Sequence, residues 1–192
     1  MKPADVACVV LASGLSQRFG GTDKLQAELC GKAVLNYVLE TVTSVGFGEN
    51  FIVSQKSSPQ GFTQVVNNDP ESGQGHALRL GLGAAKAAGW DSIAVILGDM
   101  PLVEPSHLWQ MIEKIGTNHA VASVFGDQKM PPALFRGTAV TEILTDRSSV
   151  GARTIFHRLN PVTVPFSAEA ALDVDTPEDL ARVAAIMKAR TT

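Results

Sequence analysis

A loop that contains glycines and two cations directly follows the first apolar segment of the chain. Residues 6–11 read V-A-C-V-V-L and predict a buried strand, and residues 12–24 continue as A-S-G-L-S-Q-R-F-G-G-T-D-K. Glycine lets the backbone approach an anion closely, while hydroxyl and cationic side chains add donors and positive charge. We therefore predict that the loop binds a polyphosphate. The predicted ligands are Ser13, Gly14, Ser16, Arg18 and Lys24.

Two common phosphate-binding motifs are absent from this loop. Residues 14–24 cannot be aligned with G-x-x-x-x-G-K-[ST], and they contain no G-x-G-x-x-G. A serine nucleophile is also disfavoured, because the sequence around Ser16 lacks the second glycine of a nucleophile elbow. The four histidines do not have the spacing of zinc ligands. The sequence therefore disfavours P-loop ATPases, plain dinucleotide-binding enzymes, serine hydrolases and zinc enzymes.

A second candidate site lies in I-L-G-D-M-P-L, residues 96–102. Asp99 follows a predicted buried strand, and in open α/β sheets ligands bind at the carboxyl ends of the strands. Asp99 alone could equally begin the turn before Pro101. Because the glycine loop also leaves the carboxyl end of a strand, we expect Asp99 to lie on the same edge of the sheet as that loop.

A third candidate site lies in L-D-V-D-T-P-E-D-L, residues 172–180. We expect Asp173 and Asp175 on a short strand, where alternation puts both carboxylates on one side. They could instead cap the start of the following helix. Thr176 is a favourable N-cap for that helix, and Pro177 suits its first position.

Apolar, strand-like segments alternate with helical patterns along the chain, which indicates an α/β fold with a mostly parallel sheet covered by helices on both faces. We predict one domain, 1–192, because 192 residues with 45% hydrophobic content suffice for one core. Residues 54–61 and 129–132 are predicted to be surface loops. The predicted strands are 6–11, 51–53, 93–97 and 120–124, and the predicted helices are 34–45, 76–88, 105–115 and 176–189.

Composition excludes several classes of partner. The net charge of −3 and the scattered basic residues argue against nucleic acid. No apolar run approaches membrane-spanning length, so no membrane partner is expected. Cys8 and Cys30 form neither a disulfide framework nor a C-x-x-C pair. We therefore expect a cytoplasmic protein without an export segment.

The glycine loop resembles the signature L-A-x-G-x-S-x-R-[MF]-G-x-x-K of the MobA-like nucleotidyltransferases. The resemblance implies a three-layer α/β/α Rossmann-like fold of the nucleotide-diphospho-sugar transferase type and a nucleoside triphosphate as substrate. G-D-M-P at 98–101 resembles the metal-binding motif of the molybdenum cofactor cytidylyltransferases in this family. D-V-D-T-P-E-D resembles the family's C-terminal motif, whose acid helps to hold Mg²⁺. These matches assign Mg²⁺ to Asp99 and Asp175, with Asp173 as second choice. The residues that match the loop signature are Leu11, Ala12, Gly14, Ser16, Arg18, Phe19, Gly20 and Lys24.

Shorter matches extend the resemblance. These matches add Asn67 and Gly75 to the predicted nucleotide ligands. The other predicted nucleotide ligands are Leu11, Ala12, Asp99 and the loop residues Ser13, Gly14, Ser16, Arg18 and Lys24. The predicted acceptor ligands are Arg79, Pro132 of P-P-A-L-F, and Arg153 of V-G-A-R.

The chain departs from the family at two places. Many cytidylyltransferases have G-H-P where this chain has M-P-P at 130–132, so the acceptor contact of that histidine is absent. Ser13 replaces the usual Ala or Gly. Its hydroxyl can donate or accept a hydrogen bond, so we expect weaker discrimination between bases.

The expected activity is Mg²⁺-dependent transfer of CMP from CTP to the terminal phosphate of molybdopterin or molybdenum cofactor, with release of pyrophosphate. The residues expected to act in catalysis are Arg18, Lys24, Asp99 and Asp175. A phosphate with a second pKa of about 6 is already ionised at neutral pH and requires no strong general base.

Three alternatives remain open. The G-G-x-D-K spacing at 20–24 favours GMP transfer to the same cofactor. Transfer of a nucleotide to another small phosphorylated acceptor is the second alternative. The third is a nucleotide-binding cofactor chaperone without catalysis. The family resemblance also implies a client molybdoenzyme as a partner.

Overall fold

Seven strands form the central sheet of the computed structural model, which describes residues 1–146 and 152–191. A separate antiparallel hairpin consists of β2 (Glu28–Leu29) and β3 (Lys32–Ala33). The strands of the central sheet are β1 (Ala7–Leu11), β4 (Glu49–Ser54), β5 (Thr63–Val66), β6 (Ser92–Leu97), β7 (Ala120–Phe125), β8 (Gln128–Arg136) and β9 (Val162–Pro165). The helices are α1 (Val34–Val45), α2 (Gly73–Ala87), α3 (Pro105–Ile115), α4 (Thr138–Thr145), α5 (Ala152–Leu159) and α6 (Pro177–Thr191).

The sheet is mostly parallel, as predicted. Its strand order is β5-β4-β1-β6-β8-β7-β9. Strands β5, β4, β1 and β6 run parallel to one another, and β9 is parallel to β7. Only β8 runs antiparallel to its two neighbours within the described residues. The ends of β1 and β6 are therefore adjacent, which places the glycine loop next to Asp99.

Helices cover both faces of the sheet, which confirms the three-layer α/β/α fold. Along β1, Cys8 and Val10 point into the core beneath α1 and α3, whereas Ala7 and Val9 point into the core beneath α2, α4 and α5. A Cβ atom at Gly81 of α2 would lie 2.3 Å from Cγ1 of Val9. This glycine therefore lets α2 pack closely on β1. Within the described residues, no helix is both long enough and apolar enough to cross a membrane.

The predicted elements are present with small differences at their ends. Helices α1 and α3 have the predicted bounds, and the other predicted helices and strands are extended or shifted by a few residues. Three strands of the central sheet, β5, β8 and β9, were not predicted, and neither were the hairpin strands β2 and β3 or the helices α4 and α5. Strand β5 is mostly exposed at the edge of the sheet and lacks an alternating apolar pattern, whereas β9 is only four residues long and contains a proline.

The prediction of a surface loop at 129–132 is wrong, because these residues belong to β8. Lys129 and Met130 pair with β7, and the register then jumps so that Ala122 pairs with Ala133. The two residues omitted from this pairing are Pro131 and Pro132. Proline has no N–H for a ladder hydrogen bond, so an irregularity in the strand accommodates both rings.

The buried hydroxyl of Ser123 stabilises this irregularity through two hydrogen bonds. The Ser123 hydroxyl donates to the carbonyl of Pro132 (2.8 Å) and accepts from Nε2 of His107 (2.8 Å). The His107 ring lies 4.4 Å from the ring of Phe166, measured between centroids. Burial lowers the pKa of His107 from 6.5 to about 4.

Stability should therefore fall in mild acid because of His107. Between pH 6.5 and 4 the unfolded chain binds a proton at His107 and the folded chain does not, so the free energy of unfolding decreases as the pH falls. The loss attributable to His107 should reach about 1 kcal/mol at pH 5.5 and about 3 kcal/mol at pH 4. Urea unfolding of wild type and His107→Gln at several pH values measures this difference. The prediction would be contradicted if the free energy of unfolding changed with pH to the same extent in wild type and in His107→Gln.

Candidate active site

A cavity of about 510 Å³ opens at the carboxyl edge of β1 and β6. One wall is the glycine loop, the floor includes Leu11, Leu97 and Asp99, and the opposite wall is the start of α2 with the turn before it. This volume lies within the range of small-molecule sites in proteins. The predicted position of the site, at the carboxyl edge of the parallel strands, agrees with this placement.

The glycine loop presents free backbone donors to this cavity. Within the described residues, no protein group accepts a hydrogen bond from the N–H groups of residues 13–18. Gly20 and Gly21 have φ angles of +76° and +85°, which favour glycine. The Ser16 hydroxyl accepts from the N–H of Lys24 at 3.1 Å and so closes the loop. An anion would provide the missing acceptors.

Lys24 lies at the centre of an ion cluster. Its Nζ atom is 2.5 Å from Oδ2 of Asp99 and 2.6 Å from Oδ1 of Asp175, and only 10% of its side chain is exposed. Arg18, which is largely exposed, contacts Oδ2 of Asp175 at 2.5 Å. Burial alone would lower the pKa of Lys24, but the two aspartates more than offset burial and raise it. Lys24 is therefore a cation at neutral pH.

Three carboxylates converge on the same point. One oxygen each of Asp99, Asp173 and Asp175 lies within 4.8 Å of the other two. Oδ1 of Asp99 is buried and has no hydrogen-bond partner. Loss of solvation, and then the charges of Asp175 and Asp99, raise the pKa of Asp173, although its side chain is exposed at the mouth of the cavity. Hard oxygen ligands with excess negative charge fit a divalent cation such as Mg²⁺ or Mn²⁺.

Residues 172–175 do not form the predicted short strand. The N–H of Val174 donates to the carbonyl of Asp99 at 2.8 Å, which joins this segment to the end of β6, and the N–H of Leu172 donates to the carbonyl of Glu169 at 3.1 Å. The helix cap that follows comes from Thr176 and Asp179. The N–H of Asp179 donates to Oγ1 of Thr176 at 3.2 Å, and Oδ2 of Asp179 accepts from the N–H of Thr176 at 2.9 Å. Asp175 therefore directs its carboxylate to Lys24 rather than capping α6.

The structure brings most of the predicted site residues together. Arg79 is half-buried on α2, and Gly75 adjoins the cavity wall without lining it. Asn67 is buried behind Ser13, and Pro132 lies in β8 outside the cavity. Ala12 packs against the core beneath α1 and α3. Those that line the cavity are Leu11, Ser13, Gly14, Ser16, Arg18, Lys24, Asp99 and Asp175.

The structure describes only part of the segment around Arg153, one of the predicted acceptor ligands. Arg153 belongs to α5, but its side chain and the preceding residues 150–151 lie outside the described residues. The acceptor roles of Arg79, Pro132 and Arg153 therefore remain predictions.

Sequence reasoning missed most of the wall opposite the loop. Pro70, Glu71 and Gln74 line the cavity there. The available signal was the cap D-P-E-S, in which Oδ1 of Asp69 accepts from the N–H of Ser72 at 3.3 Å. Because β5 was not predicted, the sequence did not show that this cap follows a strand end of the same sheet.

Residues 8–162 match the family model described as the MobA-like NTP transferase domain. The chain belongs to the MobA-like NTP transferase family. The matched residues include the glycine loop, Lys24 and Asp99, and the membership makes this protein a nucleotidyltransferase.

Relatives of similar length extend the match beyond residue 162. The chain is 31% identical over 189 residues to the "Probable molybdenum cofactor guanylyltransferase" of Aquifex aeolicus (strain VF5), covering 93% of this chain and 90% of the relative. It is 26% identical over 190 residues to the "Purine catabolism protein PucB" of Bacillus subtilis (strain 168), covering 89% and 92%.

A solved structure shares the fold. The crystal structure of Rv0371c from Mycobacterium tuberculosis H37Rv has a TM-score of 0.81 and 25% identity, covering 94% of this chain and 97% of that one. Rv0371c has also been solved in complex with manganese, and that structure gives a TM-score of 0.71 with 21% identity, covering 94% of this chain and 98% of that one.

Lys24→Ala should weaken binding of a nucleoside triphosphate by about 10- to 100-fold. The variant loses a charge-assisted phosphate contact, typically about 1.5–3 kcal/mol, and leaves Asp99 and Asp175 without their shared cation. Calorimetric titration with a non-hydrolysable triphosphate and Mg²⁺ measures the change.

The matched control is Lys86→Ala, since Lys86 pairs with Asp91 on the surface. Lys56 is also on the surface, but it would not serve as a control because its Nζ atom lies 2.6 Å from Oδ2 of Asp23, a residue of the loop under test. Equal affinities of the Lys24 and Lys86 variants would remove Lys24 from the binding site.

Proposed function

We propose that this protein transfers CMP from CTP to the terminal phosphate of a molybdopterin-type cofactor and releases pyrophosphate. The observation that carries the reaction class is the cluster of Lys24, Asp99 and Asp175 beneath a loop of free N–H groups. The acceptor is proposed from the sequence resemblance and from the names of relatives.

Residues of this chain can reduce the repulsion between the triphosphate and the acceptor phosphate. A triphosphate carries several negative charges, and the acceptor phosphate adds more, so repulsion and alignment form much of the barrier. The free N–H groups of 13–18 orient the triphosphate. Lys24 and Arg18 place positive charge beside it, and burial of Lys24 strengthens its interaction with the phosphates.

A divalent cation fits the three carboxylates. Asp99 and Asp175 would hold it, and the partnerless Oδ1 of Asp99 supports their role as ligands. Mg²⁺ is the ion that we propose, and the manganese complex of Rv0371c supports a divalent ion in this fold. When bound, the ion would offset negative charge on the transferring and leaving phosphates.

The reaction does not require a histidine as general base. Within the described residues, no histidine lines the cavity. His107, whose pKa is about 4, is buried between α3 and β7. An acceptor phosphate is already largely ionised at neutral pH, so it can attack the α-phosphorus without losing a proton to the enzyme.

GMP transfer is the second candidate. The name of the Aquifex relative favours a guanine nucleotide. The G-D-M-P and D-V-D-T-P sequences favour CTP by their resemblance to the cytidylyltransferases. A nucleotide-binding cofactor chaperone is the alternative outside catalysis, and it would bind the triphosphate without releasing pyrophosphate.

One assay separates these functions. The protein is incubated with Mg²⁺, molybdenum cofactor and CTP, GTP, ATP or UTP in turn, and pyrophosphate is followed. We expect release with CTP that depends on the acceptor. Faster release with GTP would favour the second candidate, and triphosphate binding without release would favour the chaperone.

Asp99→Asn and Asp175→Asn should each lower turnover by about 100-fold or more while the fold is kept. Asparagine retains the shape but loses the charge that a hard cation requires. If both carboxylates act on one ion, the double variant should be little worse than either single variant. Asp127→Asn, in the exposed turn between β7 and β8, is the control. Multiplicative losses would indicate that the two aspartates act separately.

A further inference from the structure

Lys24 contacts carboxylate oxygens that a divalent cation would also require. Its Nζ atom contacts Oδ2 of Asp99 and Oδ1 of Asp175, and Oδ2 of Asp175 contacts Arg18. Three of the four carboxylate oxygens of Asp99 and Asp175 therefore already contact a cationic side chain, and the fourth is the partnerless Oδ1 of Asp99. A divalent cation bound to Asp175 would adjoin one of these side chains, and the positive charges would repel each other.

The side chains of this cluster nearly balance one another in charge. The three carboxylates of Asp99, Asp173 and Asp175 face the two cations, Lys24 and Arg18, which leaves one net negative charge. Addition of a divalent cation would make the net charge positive. Removal of the Lys24 charge alone would leave two negative charges, which match a divalent cation.

The two cationic side chains differ in exposure. The side chain of Lys24 is 10% exposed, whereas that of Arg18 is 71% exposed. Water and salt screen a charge at the surface, so the contact of Arg18 with Asp175 is weak and easily broken. A charge with little water around it interacts more strongly with its neighbours. Lys24 is therefore the main group that opposes a divalent cation at this cluster.

A triphosphate offers Lys24 another partner. Lys24 lines the cavity together with residues 13–18, whose N–H groups suit an anion. Its ammonium group is carried by a flexible four-carbon chain, so it can exchange a carboxylate oxygen for a phosphate oxygen. Once Lys24 contacts a phosphate, Asp99 and Asp175 each lose a cationic partner. Their affinity for a divalent cation must then rise, because the repulsion is reduced.

We propose that Lys24 makes metal binding depend on the nucleotide. Without a triphosphate, Lys24 pairs with Asp99 and Asp175 and opposes a divalent cation. With a triphosphate, Lys24 contacts phosphate and leaves both carboxylates to the metal. This role rests on the proposed nucleotidyl transfer and describes how its site is regulated. It gives the loss of Lys24 two effects of opposite sign, weaker binding of the nucleotide and tighter binding of the metal alone.

The test measures binding of Mn²⁺ alone, without nucleotide or acceptor, from the electron paramagnetic resonance signal of the free ion. Lys24→Met keeps the apolar part of the side chain and removes its charge. It should bind Mn²⁺ about 10- to 100-fold more tightly than wild type, because a repulsive charge in a poorly hydrated site is lost. Arg18→Gln should bind Mn²⁺ only about 2- to 5-fold more tightly, because solvent screens this charge.

Two further variants assign the effect to the cluster. Lys86→Met removes a surface lysine that pairs with Asp91, and it should leave Mn²⁺ affinity unchanged. Asp99→Asn in the Lys24→Met background should abolish the gain in Mn²⁺ affinity, because it removes a proposed ligand. A gain that persists in this double variant would place the ion elsewhere and overturn the proposed role of Lys24.

Equal Mn²⁺ affinities of wild type and Lys24→Met would also overturn this role. If Lys24→Met fails to fold, equal affinities of wild type and Arg18→Gln would overturn it, since Arg18 is exposed and its loss should not disturb folding. The proposed function fails in a different experiment. A wild-type protein that binds no triphosphate would overturn the proposed function even where Lys24→Met gains affinity for Mn²⁺.

Discussion

The ammonium group of Lys24 holds together three segments that are far apart in the chain. Its partners Asp99 and Asp175 lie 75 and 151 residues further along. One oxygen of Asp99 and one of Asp175 lie within 4.8 Å of each other. Two half-buried carboxylates this close would repel each other without a cation between them. The cation keeps the glycine loop, the end of β6 and the segment before α6 in contact, and the Val174 to Asp99 backbone bond reinforces this contact.

The two sides of the cavity differ in their chemistry. Charged side chains lie at the β6 side, and the pair of Ser13 and Asn67 lies toward the β5 side. A nucleoside triphosphate has a similar division, with its charge at one end and its base at the other. Under the proposed function, a nucleotide would lie across the sheet edge with its phosphates toward β6 and its base toward β5.

The sequence predicted the parts of the site that are encoded locally. The glycine loop, Asp99 after its strand, and the Thr176 cap each depend on a few adjacent residues, and the α/β order followed from alternating patterns. Contacts between distant residues were not predictable, such as the one between Ser13 and Asn67, which are 54 residues apart. The pair Pro131 and Pro132 misled the loop prediction, because only the register with β7 shows that an irregular strand accommodates them.

The most direct test is a crystal structure of the protein with Mn²⁺ and a non-hydrolysable CTP analogue, in which manganese is located by its anomalous scattering. The account predicts a manganese peak within coordination distance of Asp99 and Asp175, with the Lys24 ammonium in contact with a phosphate oxygen. A nucleotide bound with manganese remote from both aspartates, or with Lys24 away from the phosphates, would contradict the central role of this cluster.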